Sequence, residues 1–189
     1  CYSLKNYKLV FRNFYLGGGV ADVQKQKKST VLGAIYQISK SDEKKLDKLA
    51  ELAIKTGVAL QRGQDLLLTA PIEALPLVRR IAVHAYKEGA NIVTPLFSDP
   101  EITLSRFNHA TDESFDKAPS WLFNGMGEAF DNNTARLAVV GEDPLLLSNQ
   151  DPDKVSRVNK ATSVAYKPAR ERITRFDINW NIISWPGQA

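Results

Sequence analysis

The amino-acid sequence predicts an α/β protein, with a mostly parallel sheet carrying helices on both faces and a short antiparallel β-meander ahead of it. Three observations lead there. Strand-like runs near residues 65, 92, 137 and 180 alternate with helical runs, the pattern of βαβ crossovers and therefore of parallel pairing. The first 40 residues have another texture, short extended runs broken by glycine and polar turns. Charge divides at the same place. Residues 1–40 carry seven Lys/Arg against the single acid Asp22, a net of +6, whereas residues 41–189 carry 18 basic and 20 acidic residues, a net of −2. The break sets two expected units, 1–40 and 41–189.

The first unit is read as three strands. YKLVFR (7–12) alternates, GGG (17–19) interrupts, VADV (20–23) is extended, KQKKS (25–29) turns, and TVLGAIYQI (30–38) is rich in β-branched and aromatic residues. So small a sheet needs a cover for its apolar face.

The second unit opens with a helix. Ser41 is the expected N-cap, Asp42 and Glu43 suit the positive end of the helix dipole, and Leu46, Leu49, Ala50, Ala53 and Ile54 recur at helical spacing up to Gly57. A strand follows at 65–70. Residues 72–90 read as a long helix with Pro76 in its first turn and Gly89 at its close. Residues 91–97 form the next strand. The polar stretch 98–119 is expected to hold one extended piece, from Ile102 to Phe107. A helix at 119–133 is weakened by Gly125 and Gly127. Then come a buried strand at 136–141, a helical turn at 143–147, a mostly helical run at 151–176 and a last strand at 178–187. Ligands of such sheets sit beyond the carboxyl ends of the strands. Those ends are Thr69-Ala70-Pro71, Phe97-Ser98-Asp99, Gly141-Glu142-Asp143 and Trp185-Pro186-Gly187.

Bulk properties exclude several classes. A chain of 189 residues with 43% apolar and 24% charged residues is ordinary for a globular protein. It has no apolar run of membrane-spanning length, and CYSLKNYKLVFRNF lacks the apolar core of a signal peptide. The lone Cys1 forms no internal disulfide, which is compatible with a reducing, cytoplasmic setting. The basic, aromatic start (Tyr2, Tyr7, Phe11, Phe14, Tyr15) admits a nucleic-acid reading, but no stacking motif of a known module accompanies it. A sheet edge kept soluble by lysines is the preferred reading, with neither nucleic acid nor membrane as partner.

Motif by motif, no site assembles. A dinucleotide fingerprint needs glycines between strand and helix, yet that junction reads TAPIEALP. Gly125-Met126-Gly127 lies inside a helical run, and Gly17-Gly18-Gly19 precedes a strand. His84 and His109 stand 25 residues apart with no HExxH, and each reads as an ordinary packing or surface histidine. Asp99, Glu101, Asp112, Glu113 and Asp116 crowd one loop, open to a hard cation but better read as a solvated or partner-facing surface. Cys1 as an amino-terminal nucleophile is a further possibility, beside the simpler one that a fragment begins there. No catalytic, cofactor-binding or metal residue is therefore assigned.

Resemblance extends the reading. KLAELAIKTGVALQRGQDLLLTAPIEALPLVRRIAVHAYKEGANIVTPLFSDPEITLSRF, continued by SWLFNGMGEAFDNNTARLAVVGEDPLLLSNQDPDKVSRVNKATSVAYKPARERITRFDINWNIISWPG, resembles the amino-terminal domain of the aminopeptidase T family of metalloaminopeptidases. The resemblance covers about residues 45–189. It implies part of an enzyme that removes amino-terminal residues from peptides with two divalent metal ions, zinc, cobalt or similar. In that family the ligands lie in a second domain, so the resemblance implies no metal or cofactor in this chain and a chain inactive alone. It also implies an α/β domain that shapes access to the active site and assists pairing into a homodimer, with peptide substrate bound only in a full-length relative. The alternative is a non-catalytic binding or dimerisation module.

Residues 1–49, with LKNYKLVFR and GGVADVQKQKKSTVLGAIYQISKSDEKKLDKL, are similar to the middle of gamma-glutamylcyclotransferase-like proteins. An upstream YGSN-type motif of that family has no counterpart here, and its catalytic Glu aligns with Ala50, one residue before Glu51. One residue on a helix turns a side chain by about 100°. The two resemblances meet in KLDKLAEL and together predict a mosaic, a truncated cyclotransferase-like segment joined to a truncated aminopeptidase domain by recombination, engineering or sequence assembly, with a remnant gamma-glutamylcyclotransferase as a further alternative function.

Overall fold

A computed structural model of the chain describes residues 40–185. The strands expected at 7–12, 20–23 and 30–38, Cys1, and the end of the last expected strand at Pro186-Gly187 lie outside the described residues. The chain divides into two units, Cys1–Glu43 and Lys44–Ala189.

Helix α1, Lys40–Leu52, passes directly into a wider π-helical segment, Ala53–Val58. Then follow β1 (Leu66–Pro71), a 3-10 turn (Ile72–Ala74), α2 (Leu75–Lys87), β2 (Val93–Ser98) and α3 (Pro100–His109). A second 3-10 turn (Asp112–Asp116), α4 (Ser120–Asp131), β3 (Ala135–Val140), α5 (Pro152–Thr174) and β4 (Trp180–Ser184) complete the described chain. The four strands form one sheet in the order β2-β1-β3-β4, every pair parallel. The α/β class and parallel sheet expected from the alternation are what the chain forms.

Two apolar cores lie on opposite faces of that sheet. Alternate residues of β1 and β3 (Leu66, Leu68, Leu137, Val139) meet Ala50, Ile54 and Val58 from the first helix and Leu77, Ile81 and Ala85 from α2. The intervening Leu67 meets Phe130 of α4, Ala169 and Ile173 of α5, and Ile178. A strand sends successive side chains to opposite faces, so a sheet buried on both sides needs near-continuous apolar strands, as LLLTAP is. Each large side chain so buried contributes about 1.5–3 kcal/mol.

The helix ends have local causes. At the close of α2, Ala90 N–H donates to Ala85 O (2.9 Å) and Gly89 N–H to Tyr86 O (3.1 Å), with Gly89 at φ 92°. This is the Schellman arrangement, and it needs the left-handed residue that glycine supplies freely. The same pair of bonds closes α4 around Asn133 (φ 61°) and α5 around Phe176 (φ 59°).

Four expectations are corrected. Residues Ile102 to Phe107 are helical, within α3: Asp99 accepts from the N–H groups of Glu101 (2.8 Å) and Ile102 (3.3 Å), and Pro100 fits the first turn. These caps outweigh the β preference of Ile102 and Thr103. Gly57 does not end the first helix; the π-helical segment runs on to Val58, and Ala59, at φ 51°, terminates it. Ser41 lies within the helix Lys40–Leu52 and not at its N-cap. Residues 143–147 form successive turns, Leu146 N–H to Asp143 O and Ser148 N–H to Leu145 O, instead of one helical turn.

Candidate functional site

Because all four strands are parallel, their carboxyl ends share one edge: Pro71, Ser98, Val140 and Ser184, with Gly141-Glu142 and Trp185 just beyond. The chain leaves β1 for β2 on one side and returns to β3 on the other. The strand order therefore reverses between β1 and β3, where ligands of open α/β sheets gather. The ends named from the sequence, as far as they are described, meet here. Ser98 Oγ donates to Glu142 Oε1 at 2.9 Å, joining the end of β2 to the end of β3 past the end of β1. Trp185 N–H donates to Val140 O (2.7 Å), and the Trp185 carbonyl lies so close to the Cα of Gly141 that a β-carbon there would clash with it. Of the helices that start at this edge, α3 has its first N–H groups taken by Asp99, so it presents no open anion site. The edge thus holds a carboxylate paired with a hydroxyl, closed by short bonds between strand ends.

The other candidates are spoken for. His84, buried on α2, has Nε2 3.0 Å from Asp47 Oδ1 on α1, a link between two helices of the first face. His109 is exposed in the last turn of α3. The five acids of the 99–116 loop do not converge. Asp99 caps α3, while Asp112 and Asp116 both receive the Arg157 guanidinium of α5, at 3.0 and 2.6 Å. That guanidinium holds both carboxyls below the usual carboxylate range, and they in turn push Arg157 up. Arg172 does the same for Asp131, binding α5 to α4 through both its Nε (2.7 Å) and Nη2 (2.6 Å). The 112–116 turn is further anchored by Phe115, fully buried against Phe107, with Lys154 Nζ 5.1 Å from its ring centre. Ala50, where the cyclotransferase-like alignment places a catalytic Glu, is buried in the first core. Glu51 faces outward between Lys48 (2.8 Å) and Lys55 (3.2 Å), whose hydrogen bonds hold its carboxyl down to about 2, too acidic for a general base near neutrality. Among the described residues no three His, Cys, Asp or Glu side chains are grouped as metal ligands.

Sequence reasoning missed the polar ties that organise the fold. Gln64, buried at the amino edge of the sheet, donates to Asn179 Oδ1 (2.6 Å) and Asn133 O (2.8 Å), and Asn179 Nδ2 donates to Val58 O (2.8 Å). The partners stand 69 to 121 residues apart, so no local pattern announces them.

Comparison with known proteins follows the same outline. Residues 42–189 match the family described as thermophilic metalloprotease (M29). Aminopeptidase T of Thermus thermophilus is 48% identical over 149 residues, 78% of this chain and 36% of that protein. Aminopeptidase 2 of Geobacillus stearothermophilus is 40% identical over 147 residues, again 78% of this chain and 36% of the relative. The solved structure of wild-type AmpT from Thermus thermophilus superposes with a TM-score of 0.74 at 48% identity, over 76% of this chain and 36% of that one. The chain thus spans about a third of the length of the relatives it matches.

Proposed function

Because the chain belongs to the thermophilic metalloprotease family M29, we propose that its α/β unit is the amino-terminal, non-catalytic domain of a metal-dependent aminopeptidase, an enzyme that hydrolyses amino-terminal residues from peptides. One observation carries this reading: the family match, residues 42–189, takes in the α/β sheet with both its cores, while relatives with aminopeptidase names are nearly three times as long as the stretch they share with it. Two divalent metal ions, zinc, cobalt or similar, would polarise the scissile carbonyl and activate water in such an enzyme. The described residues of this chain do not fit them: His84 is engaged by Asp47, His109 is isolated on α3, Asp99 caps α3, Asp112 and Asp116 are taken by Arg157, and no three possible ligands are grouped. In this reading the metals belong to the stretch of the relatives that this chain does not match.

The test compares hydrolysis of an aminoacyl chromogenic substrate, with added zinc or cobalt, by the 189-residue chain and by the same chain extended with the remaining segment of the Thermus thermophilus relative. The expected result is turnover by the extended chain alone. Turnover by the 189-residue chain would overturn the assignment of the metals elsewhere, and an inert extended chain would count against the family activity.

The reading includes a homodimer formed through the α/β domain and a cytoplasmic location. Exposed Val83 and Tyr86 on α2, with Ile92 and Phe97 around the edge strand β2, support pairing. Sedimentation that stays monomeric as concentration rises would refute it. For location, the support is one cysteine and, among the described residues, no helix long and apolar enough to cross a membrane. Nothing at Ala50 or Glu51 supports a remnant cyclotransferase; release of 5-oxoproline from a gamma-glutamyl dipeptide would reverse that judgement.

A further inference from the structure

On the second face of the sheet, α4 and α5 cover only part of what lies beneath them. Their packed residues, Met126 and Phe130 on α4 and Tyr166, Ala169 and Ile173 on α5, gather over Leu67 and Trp180, in the row nearest the amino edge, and reach Leu96 in the next row only on the far strand β2. Toward the carboxyl edge the same face carries Ala138, Val140 and Ile182, placed there by alternation and by the pairing of Ala138 with Ile182 and Val140 with Ser184. Ala138 is buried, but Val140 and Ile182 are each 47% exposed.

That exposure is out of character for the fold. Parallel strands are covered on both faces, and β3 is an interior strand with neighbours on either side. Its last residue is nevertheless an open valine, diagonal to an open isoleucine. Helix α5 contributes a cause. Pro168 withholds the N–H that would bond the carbonyl of Val164, a break that bends helices. The buried residues of α5, Ala169 and Ile173, both follow Pro168, and Val164 before it is 68% exposed. The uncovered corner adjoins the carboxyl edge, where Val140 runs into Gly141-Glu142.

We propose that this corner, floored by Val140 and Ile182, is the seat on which the metal-bearing segment of a full-length relative packs. The proposal rests on the function proposed above. It names the covering partner because the matched relatives are nearly three times as long as the stretch they share with this chain. A corner at the carboxyl edge also sets that partner against the strand ends, where α/β sheets present their loops to a substrate. A second copy of the chain is the competing occupant.

Cysteine labelling tests it. Ile182→Cys, Val140→Cys and, on the opposite face, Leu52→Cys, 47% exposed on α1 and outside the proposed pairing surface, are introduced singly into this chain with Cys1 changed to Ser, and at the aligned positions of full-length Thermus thermophilus aminopeptidase T in a background otherwise free of cysteine. Maleimide reacts with all three in the present chain. In the full-length relative the positions of Val140 and Ile182 are expected to react at least about tenfold more slowly, as a packed interface excludes water, while that of Leu52 changes little. Equal rates at 140 and 182 in the two proteins overturn the proposal. So does protection that appears in the 189-residue chain as its concentration rises, which would identify a second copy. Labelling and hydrolysis fail separately: an active extended chain with an unprotected corner removes this interface and leaves the proposed activity standing.

Discussion

At the scale of single residues, glycines separate structural need from tolerance. Gly57 sits in the π-helical segment against β4, and a β-carbon there would overlap the side-chain amide of Asn181. Asn181 is not free to retreat, because its Oδ1 accepts from the N–H of Ile182 at 2.7 Å. Gly57→Ala is expected to destabilise by about 1–3 kcal/mol, the usual cost of overpacking. The cost should largely disappear in an Asn181→Ala background, and a chemical-denaturation double-mutant cycle showing no coupling would dismiss the contact as its cause. Gly125 is the opposite case. It is exposed in the middle of α4 with nothing near the position of a β-carbon. Gly125→Ala should therefore stabilise by about 0.5–1 kcal/mol through backbone entropy, read as a raised denaturation midpoint at unchanged slope. In the sequence Gly57 reads as a helix end and Gly125 as a weak point within a helix, but the letters alone do not tell what a β-carbon would meet at either, since for Gly57 the obstacle is a neighbour 124 positions away.

At the scale of elements, the fold is a set of helices clamped by paired charges. The 112–116 turn is tied to α5 by Arg157, whose guanidinium meets Asp112 and Asp116 together. Their carboxyls titrate lower in the folded chain than in the unfolded one, where an aspartate has a pKa of about 3.9. A depressed carboxyl contributes stability above its unfolded pKa and loses it as pH falls through the folded value. The clamp should hold above about pH 4 and weaken below it. Comparing wild type with Arg157→Ala by urea denaturation between pH 3 and 7, the stability difference is expected to be constant near neutrality and to shrink toward pH 3. A difference independent of pH would mean that Arg157 acts by packing alone. Elements were largely legible in the sequence because their causes are local: LLLTAP is apolar throughout, and Gly89 closes α2 where a left-handed residue is required. Helix α3 stands where an extended piece is expected from Ile102 to Phe107, because the cap of Asp99 and the Pro100 that follows it outweigh the β preference of Ile102 and Thr103. The clamps were not legible, because Arg157 and Asp112 are 45 positions apart and only the fold makes them neighbours. The candidate edge was half legible: parallel topology named the strand ends, but the Ser98–Glu142 bond across 44 positions had no signal in the letters.

At the scale of the whole α/β unit, two cores share one sheet, and this determines how it unfolds. Leu66 and Leu68 belong to the first core while Leu67, between them on β1, belongs to the second. Neither face can melt without withdrawing the strand that floors the other, so the two cores should fail as one cooperative transition. The three tryptophans of the chain, Trp121, Trp180 and Trp185, all lie in this unit, so their fluorescence reports on it alone. Leu68→Ala empties part of the first core and Ile173→Ala part of the second. Each is expected to cost about 2–5 kcal/mol, since both side chains are buried. Each variant should shift a single tryptophan transition to lower denaturant with its slope retained. If Leu68→Ala instead split that transition, the first face would be melting while the second held. The sheet would then be two weakly joined layers, and a partner seated on the Val140–Ile182 corner would stabilise one layer without the other.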